Sequence, residues 1–359
     1  MKKMLSFYPG PSKVDPELSS YLMEAHASGI LSNNHRSKPF MDLMENCIKT
    51  IKKQLDIPKN YEVLFTSSAT ECWEITAQSY LGKKFLHIYN GSFGQKWFQY
   101  NQKINQHVTA HEYSIQKSIS LNHLKKIDAQ NADVLCLTSC ETSNTTKVHQ
   151  KTFQKIRSRY KDALLFIDAT SSMSGVRLDW LSGDIWYASV QKCFGLPSGL
   201  GVMIVSPKAL QEANANDFHY NNILSIYNNQ QKRQTTHTPN TLGIYLLEKV
   251  LSNRKEIKSV ENHTKKKMLQ LKKALKRLGY NFLINTNKVQ SETVIGIISS
   301  KEQISLIKER ALKEEITLGN GYGKWKDTSL RIANFPSHSY EDIERLISFF
   351  QGLEKCKNN

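Results

Sequence analysis

The run Leu164-Leu165-Phe166-Ile167-Asp168 and its neighbour Ile185-Trp186-Tyr187-Ala188-Ser189-Val190-Gln191-Lys192 decide how this chain is read. Each begins as a short apolar segment rich in β-branched and aromatic residues, and each closes on a charged side chain. A segment of this length without a polar face suits a strand covered on both sides, as in a parallel sheet, better than a helix. Similar runs occur at Tyr61 to Thr66, Phe85 to Tyr89, Val134 to Thr138 and Gly201 to Val205. Helix-period segments at Phe40 to Leu55, Glu71 to Leu81 and Thr152 to Tyr160 separate several of them. Strands alternating with helices predict an α/β fold, with crossover helices packed on a mainly parallel sheet.

Beyond about Leu251 the pattern changes. A long lysine-rich helix is followed by short strands near Tyr280 to Ile284 and Thr293 to Ile298, a helix near Ile304 to Lys313, a strand at Leu330 to Ala333 and a final helix. Ser339, with Asp342 three residues on, forms a capping box for that last helix. The predicted division is a large domain over 1–250 and a smaller α+β domain over 251–359, with residues 1–15 free to pack on the smaller one.

Composition narrows the function classes. Hydrophobic residues make up 39% of the 359, and no apolar run approaches the roughly 20 residues of a membrane span, so a soluble chain without a membrane partner is expected. The start Met1-Lys2-Lys3-Met4-Leu5 leads to Tyr8-Pro9-Gly10-Pro11 without a signal-like apolar stretch, and cytoplasmic residence is the expectation. The cysteines (Cys47, Cys72, Cys136, Cys140, Cys193, Cys356) are scattered and read as free thiols, with no zinc site. The net charge of +17 fits nucleic acid, acidic lipid or an acidic small substrate. In the stretch Lys265 to Leu278, however, Met268, Leu271, Leu275 and Leu278 share one helical face. The lysines therefore read as the solvated side of a packed helix, and no nucleic-acid partner is expected.

The ends of the two opening strands carry the chemistry. Asp168 sits at the C-terminal edge of the sheet, where open α/β sheets bind ligands. Lys192 lies just past a neighbouring strand, where partial desolvation favours the neutral amine that condenses with a carbonyl to a Schiff base. A carboxylate close by would keep a cofactor's ring nitrogen protonated. Singly, Asp168 reads as a strand-end turn residue and Lys192 as a surface lysine; jointly they form one device. Thr66-Ser67-Ser68-Ala69-Thr70 follows a strand and opens a helix, which offers hydroxyls and free N–H groups to a phosphate, or an ordinary N-cap. In Asn90-Gly91-Ser92-Phe93-Gly94 an aromatic ring stands between glycines, able to stack on a flat ligand or merely to pack.

This order of features resembles the class V, fold-type I pyridoxal phosphate aminotransferases over nearly the whole chain. The specific part is Asp168-Ala169-Thr170-Ser171-Ser172, Ser189-Val190-Gln191-Lys192 and Gly195-Leu196-Pro197-Ser198-Gly199-Leu200-Gly201. The resemblance implies a large domain with a mainly parallel, seven-stranded-type sheet and a smaller C-terminal domain. It implies that Lys192 carries pyridoxal 5'-phosphate and moves protons, that Asp168 pairs with the pyridinium and that Phe93 stacks on the ring. Ser68, Ala69, Thr70 and Gln191 would hold the phosphate, and Thr142 would contact the ring oxygen. His237-Thr238-Pro239-Asn240-Thr241 resembles the segment through which a second subunit reaches the phosphate, with Thr238 in contact, which implies a homodimer with shared sites.

Two subfamilies compete for the substrates, an amino acid and a 2-oxo acid. His35-Arg36-Ser37-Lys38 and Ile57-Pro58-Lys59-Asn60-Tyr61-Glu62-Val63-Leu64-Phe65 resemble the phosphoserine aminotransferases of serine biosynthesis, in which His35 and Arg36 would face the substrate's acidic end. Cys140-Glu141-Thr142-Ser143, Gly199-Leu200-Gly201 and Leu330-Arg331-Ile332-Ala333-Asn334 resemble the alanine-glyoxylate and serine-pyruvate group. In either group Arg331 would grip the substrate carboxylate as a fork. Thr70, and Lys324-Trp325-Lys326, stand where the phosphoserine enzymes carry arginine or His-Arg, and Lys324 or Lys326 is a candidate substitute. A noncatalytic binding protein on the same fold is the reading from another class.

Overall fold

The computed structural model describes residues 4–127, 129–215 and 219–355. Cys356 lies outside them; the other five cysteines are buried and unpaired. A seven-stranded sheet runs in the order Glu62–Thr66, Gly201–Val205, Ile185–Ser189, Leu164–Asp168, Val134–Thr138, Phe85–Tyr89, Val108–Glu112. Gly201–Val205 is antiparallel to both of its neighbours, and the remaining pairs are parallel. The five inner strands coincide with the apolar runs of the sequence. Alternate side chains go to opposite faces: Leu135, Leu165, Ile167 and Trp186 to one core, Val134, Cys136, Leu164, Phe166 and Tyr187 to the other. A sheet covered on both faces needs both sets apolar, which is why these strands show no polar alternation. A fully buried ring such as Phe166 contributes about 2 to 3 kcal/mol by leaving water.

Helices Lys38–Gln54 and Thr241–Asn253 cover the first face, and Ala69–Ser79 and Ser92–Gln102 the second. A second sheet orders Leu5–Phe7, Ile316–Asn320, Ser329–Ala333, Val294–Ile298 and Asn281–Phe282. The N-terminal strand thus joins the C-terminal sheet, pairing parallel with Ile316–Asn320. Helix Ile257–Arg277 packs Met268, Leu271 and Leu275 on this sheet, with Leu278 half-buried beside them. One of its lysines breaks the solvated pattern: Lys267 is buried and donates to the carbonyls of Phe335 and His338. The last helix, Tyr340–Lys355, begins with the expected box, in which Ser339 N donates to Asp342 Oδ2 (2.8 Å) and Asp342 N to Ser339 Oγ (3.2 Å). No helix among the described residues is long and apolar enough to cross a membrane.

Candidate active site

The parallel strands end together, and their C-terminal turns make the site. After Ile185–Ser189 the chain folds back through Val190 N to Leu200 O (3.1 Å) and Gly195 N to Lys192 O (3.0 Å), with Gly195 at φ +74°, a left-handed backbone that favours glycine. Arg254 fixes this turn from outside, donating to the carbonyls of Cys193 (2.8 Å) and Phe194 (2.8 Å). Lys192 is therefore aimed inward, only 8% exposed, with Nζ donating to Thr142 Oγ1 (2.9 Å) and Ser171 Oγ (3.1 Å). Burial pushes its pKa down, and the nearby Asp168, Cys140 and Glu141 oppose the shift only in part.

Asp168 ends the adjacent strand, in register with Tyr187, and is 4% exposed. Its Oδ1 accepts from Thr170 N (2.9 Å). Burial raises its pKa, while Thr170 and the Lys192 charge hold it down. The Phe93 ring centre lies 5.2 Å from Lys192 Nζ. Phe93 belongs not to a loop between glycines but to the first turn of helix Ser92–Gln102, capped by Gly91. Gly91 has to lack a side chain, because a Cβ there would meet Glu141 Cγ at 2.3 Å.

At the next strand end Ser68 caps helix Ala69–Ser79, its Oγ accepting from Glu71 N (3.1 Å). Ala69 N donates to Ser189 Oγ (2.7 Å), so this amide is engaged within the chain, whereas Thr70 is exposed at the positive end of the helix. Gln191 is half-buried, and its Oε1 has no partner among the described residues.

Thr142 joins the lysine to an arginine. While its hydroxyl holds Lys192, its carbonyl accepts from Arg331 Nη1 (2.8 Å), and Arg331 Nε donates to Asn320 O (2.7 Å). Arg331 is 4% exposed, and its guanidinium carbon lies 5.4 Å from the centre of the Tyr322 ring. Ser171, Tyr322 and Gly10 were not singled out in the sequence. A Cβ on Gly10 would meet Lys192 Cε at 2.8 Å, so the Pro9-Gly10-Pro11 turn packs directly on the lysine stem. A glycine between two prolines was the available signal. Tyr322 announced itself by nothing local.

The other expected residues lie apart. His35 is half-buried and Arg36 exposed in the turn before helix Lys38–Gln54, where Arg36 N donates to Asn34 Oδ1 (2.8 Å). Thr238 is exposed in the loop before helix Thr241–Asn253. Lys324 and Lys326 are exposed, and Lys324 lies over Trp325 rather than over the site.

These side chains fit pyridoxal phosphate. The buried Lys192 amine and Asp168 carboxylate, with the Phe93 ring centre 5.2 Å from Nζ, suit the cofactor's aldehyde, ring nitrogen and ring face, and the exposed helix start at Thr70 suits its phosphate. A mainly parallel sheet with a desolvated lysine beyond its strand ends, facing such a carboxylate, is the architecture of a fold-type I pyridoxal phosphate enzyme.

Known proteins narrow that class. The family model described as aminotransferase class-V matches residues 9–321. A crystal structure of a phosphoserine aminotransferase from Cytophaga hutchinsonii superposes with a TM-score of 0.91 at 31% identity, over 98% of this chain and 99% of that one. A phosphoserine aminotransferase of Rhodococcus opacus is 26% identical over 353 residues, 94% of this chain and 91% of the relative. An alanine-glyoxylate aminotransferase from Nostoc sp. shares the fold, with a TM-score of 0.84 at 18% identity over 98% and 95% of the two chains. The chain belongs to the class V aminotransferases and is an enzyme that works with pyridoxal phosphate.

Proposed function

We propose that this enzyme is a phosphoserine aminotransferase, converting 3-phosphohydroxypyruvate and glutamate to phosphoserine and 2-oxoglutarate. The observation that carries the reading is Thr142 holding Lys192 Nζ by its hydroxyl and Arg331 by its carbonyl, which sets a base and a carboxylate grip at a fixed spacing. Full-length similarity to relatives named for phosphoserine supports the substrate.

When bound, pyridoxal phosphate supplies an electron sink for the carbanion left at the amino donor's α-carbon. In this reading Asp168 would pair with the ring nitrogen and keep it protonated, Phe93 would stack on the ring, and Ser68, Ala69, Thr70 and Gln191 would hold the phosphate, Ala69 by packing because its amide is engaged. Lys192 would hold the cofactor through Nζ and, as a neutral amine, would serve as the base for the donor's α-proton. Burial lowers its pKa, which shifts Nζ towards that form, and Thr142 and Ser171 keep Nζ directed. Arg331 would hold the α-carboxylate and so fix the substrate's α-carbon relative to Nζ.

The exposed Thr238 and Arg36, with the half-buried His35, fit a homodimer in which each chain completes its partner's site. The same reading divides the chain into a large domain over 1–250 and a small one over 251–359, with the N-terminal strand on the latter. A second reading, with small amino donors and glyoxylate or pyruvate as acceptor, is favoured by one observation. Among the described residues Arg331 is the only guanidinium in contact with Thr142 or Tyr322. Steady-state comparison of phosphoserine, glutamate, alanine and serine as donors separates the two. Preference for phosphoserine over serine is expected, and equal use of the two would overturn the first reading.

A further inference from the structure

Helix Ser92–Gln102 brings Lys96 one turn after Phe93, on the same side of the helix. Its Nζ lies 6.0 Å from the centre of the Phe93 ring and 5.3 Å from that of Tyr322, and is hydrogen-bonded to Tyr322 Oη at 2.7 Å. The two rings are themselves 5.3 Å apart. Tyr322 is held in place by its loop: Gly321 N donates to Ser329 O (3.0 Å), Trp325 N to Tyr322 O (3.1 Å) and Ser329 Oγ to Trp325 O (2.8 Å). A Cβ on Gly321 would meet Trp325 O at 2.0 Å, so the loop closes this tightly only around glycine.

Three cations thus share a floor of two aromatic rings. Lys192 Nζ stands 5.2 Å from the Phe93 centre, the Arg331 guanidinium 5.4 Å from the Tyr322 centre, and Lys96 borders both rings. The first two have partners and proposed roles in the reaction. Lys96 has no carboxylate within ion-pairing distance among the described residues, and an ammonium has three donors, of which Tyr322 engages one. A ligand with its α-carboxylate on Arg331 and its α-carbon at Lys192 lies across this floor.

We propose that Lys96, aimed by Tyr322, receives the distal anionic group of acidic substrates, the phosphate of phosphoserine and 3-phosphohydroxypyruvate or the side-chain carboxylate of glutamate and 2-oxoglutarate. The inference rests on the proposed function; Lys96 is exposed, as are Lys324 and Lys326, but among the described residues it is the one of the three that borders the rings shared with Lys192 and Arg331.

The test uses the holoenzyme with two donor pairs, phosphoserine against serine and glutamate against glutamine. Lys96→Met keeps the aliphatic stem and removes the charge. It is expected to lower the kcat/KM preference for the anionic member of each pair by about 10- to 100-fold, chiefly through KM, as loss of a charged hydrogen bond dictates. Lys96→Arg should restore most of it. Tyr322→Phe retains the ring and removes the hydroxyl, and a drop of several-fold is expected. Inorganic phosphate, titrated by its stabilisation of the melting temperature, should bind more weakly to Lys96→Met than to the parent enzyme. Unchanged preferences in both variants, with wild-type melting temperatures, would overturn the Lys96 assignment and leave the phosphoserine reading standing. A wild-type enzyme that discriminates glutamate from glutamine but not phosphoserine from serine would overturn the phosphoserine reading while Lys96 is judged on the glutamate pair. Failure to discriminate within either pair would overturn both.

Discussion

Replacing Arg331 by lysine keeps one positive charge and removes the planar fork. In the structure the guanidinium is anchored on two elements at once, through Nε to Asn320 O (2.7 Å) and Nη1 to Thr142 O (2.8 Å), which leaves Nη2 and the second Nη1 hydrogen for a ligand. An ammonium on a shorter stem cannot span both carbonyls and still meet a carboxylate along two parallel bonds. Loss of the paired charged hydrogen bonds removes about 2 to 3 kcal/mol of carboxylate binding, roughly a 30- to 150-fold rise in KM for both glutamate and 2-oxoglutarate. Each buried carbonyl left without its donor costs about 1 to 3 kcal/mol of stability, so the melting temperature should fall as well. Steady-state kinetics with each substrate, beside a thermal melt, measures both effects. A KM within about threefold of the parent for both substrates would refute the placement of the carboxylate at Arg331.

Two further outcomes follow from buried charge. Arg254→Met strips donors from Cys193 O and Phe194 O and leaves Asp15 without the guanidinium, and should destabilise the fold by about 3 to 5 kcal/mol in thermal or denaturant unfolding; an effect below about 1 kcal/mol would contradict the clamp on the lysine turn. His338 is pushed down to about 4, chiefly by burial and further by Lys267, and is satisfied as a neutral ring: Nδ1 accepts from Phe335 N (3.1 Å) and Nε2 meets Ser6 O (2.9 Å). The unfolded chain binds that proton near 6.5, so the stability His338 contributes is present above about 6.5 and is lost as pH falls towards 4. Melting curves across that window should flatten in His338→Gln, and an unchanged slope would contradict the assignment.

The inner strands were legible because burial on both faces leaves a plain signal, a five-residue apolar run that recurs at Phe85–Tyr89, Val134–Thr138, Leu164–Asp168, Ile185–Ser189 and Gly201–Val205. Val108–Glu112 escaped because it is an edge strand with largely exposed side chains, and Ile316–Asn320 because Gly319 and Asn320 read as a turn. Asn90 to Gly94 read as a loop since two glycines mask a helix start, although Gly91 is there to clear Glu141. Lys192 and Asp168 could be singled out as candidates because strand ends point to the ligand edge of the sheet, and both prove buried there. Lys96 and Tyr322 could not, being 226 residues apart and brought together only when the C-terminal sheet meets the large one.

The central claim is that Lys192 is the residue that carries the cofactor. Reduction of the pyridoxal phosphate-loaded enzyme with borohydride, followed by proteolysis and mass spectrometry, reads the attachment point directly. A stable phosphopyridoxyl group is expected on Lys192 and on no other lysine, absent from Lys192→Ala. A label on another lysine, or its persistence in that variant, would contradict it.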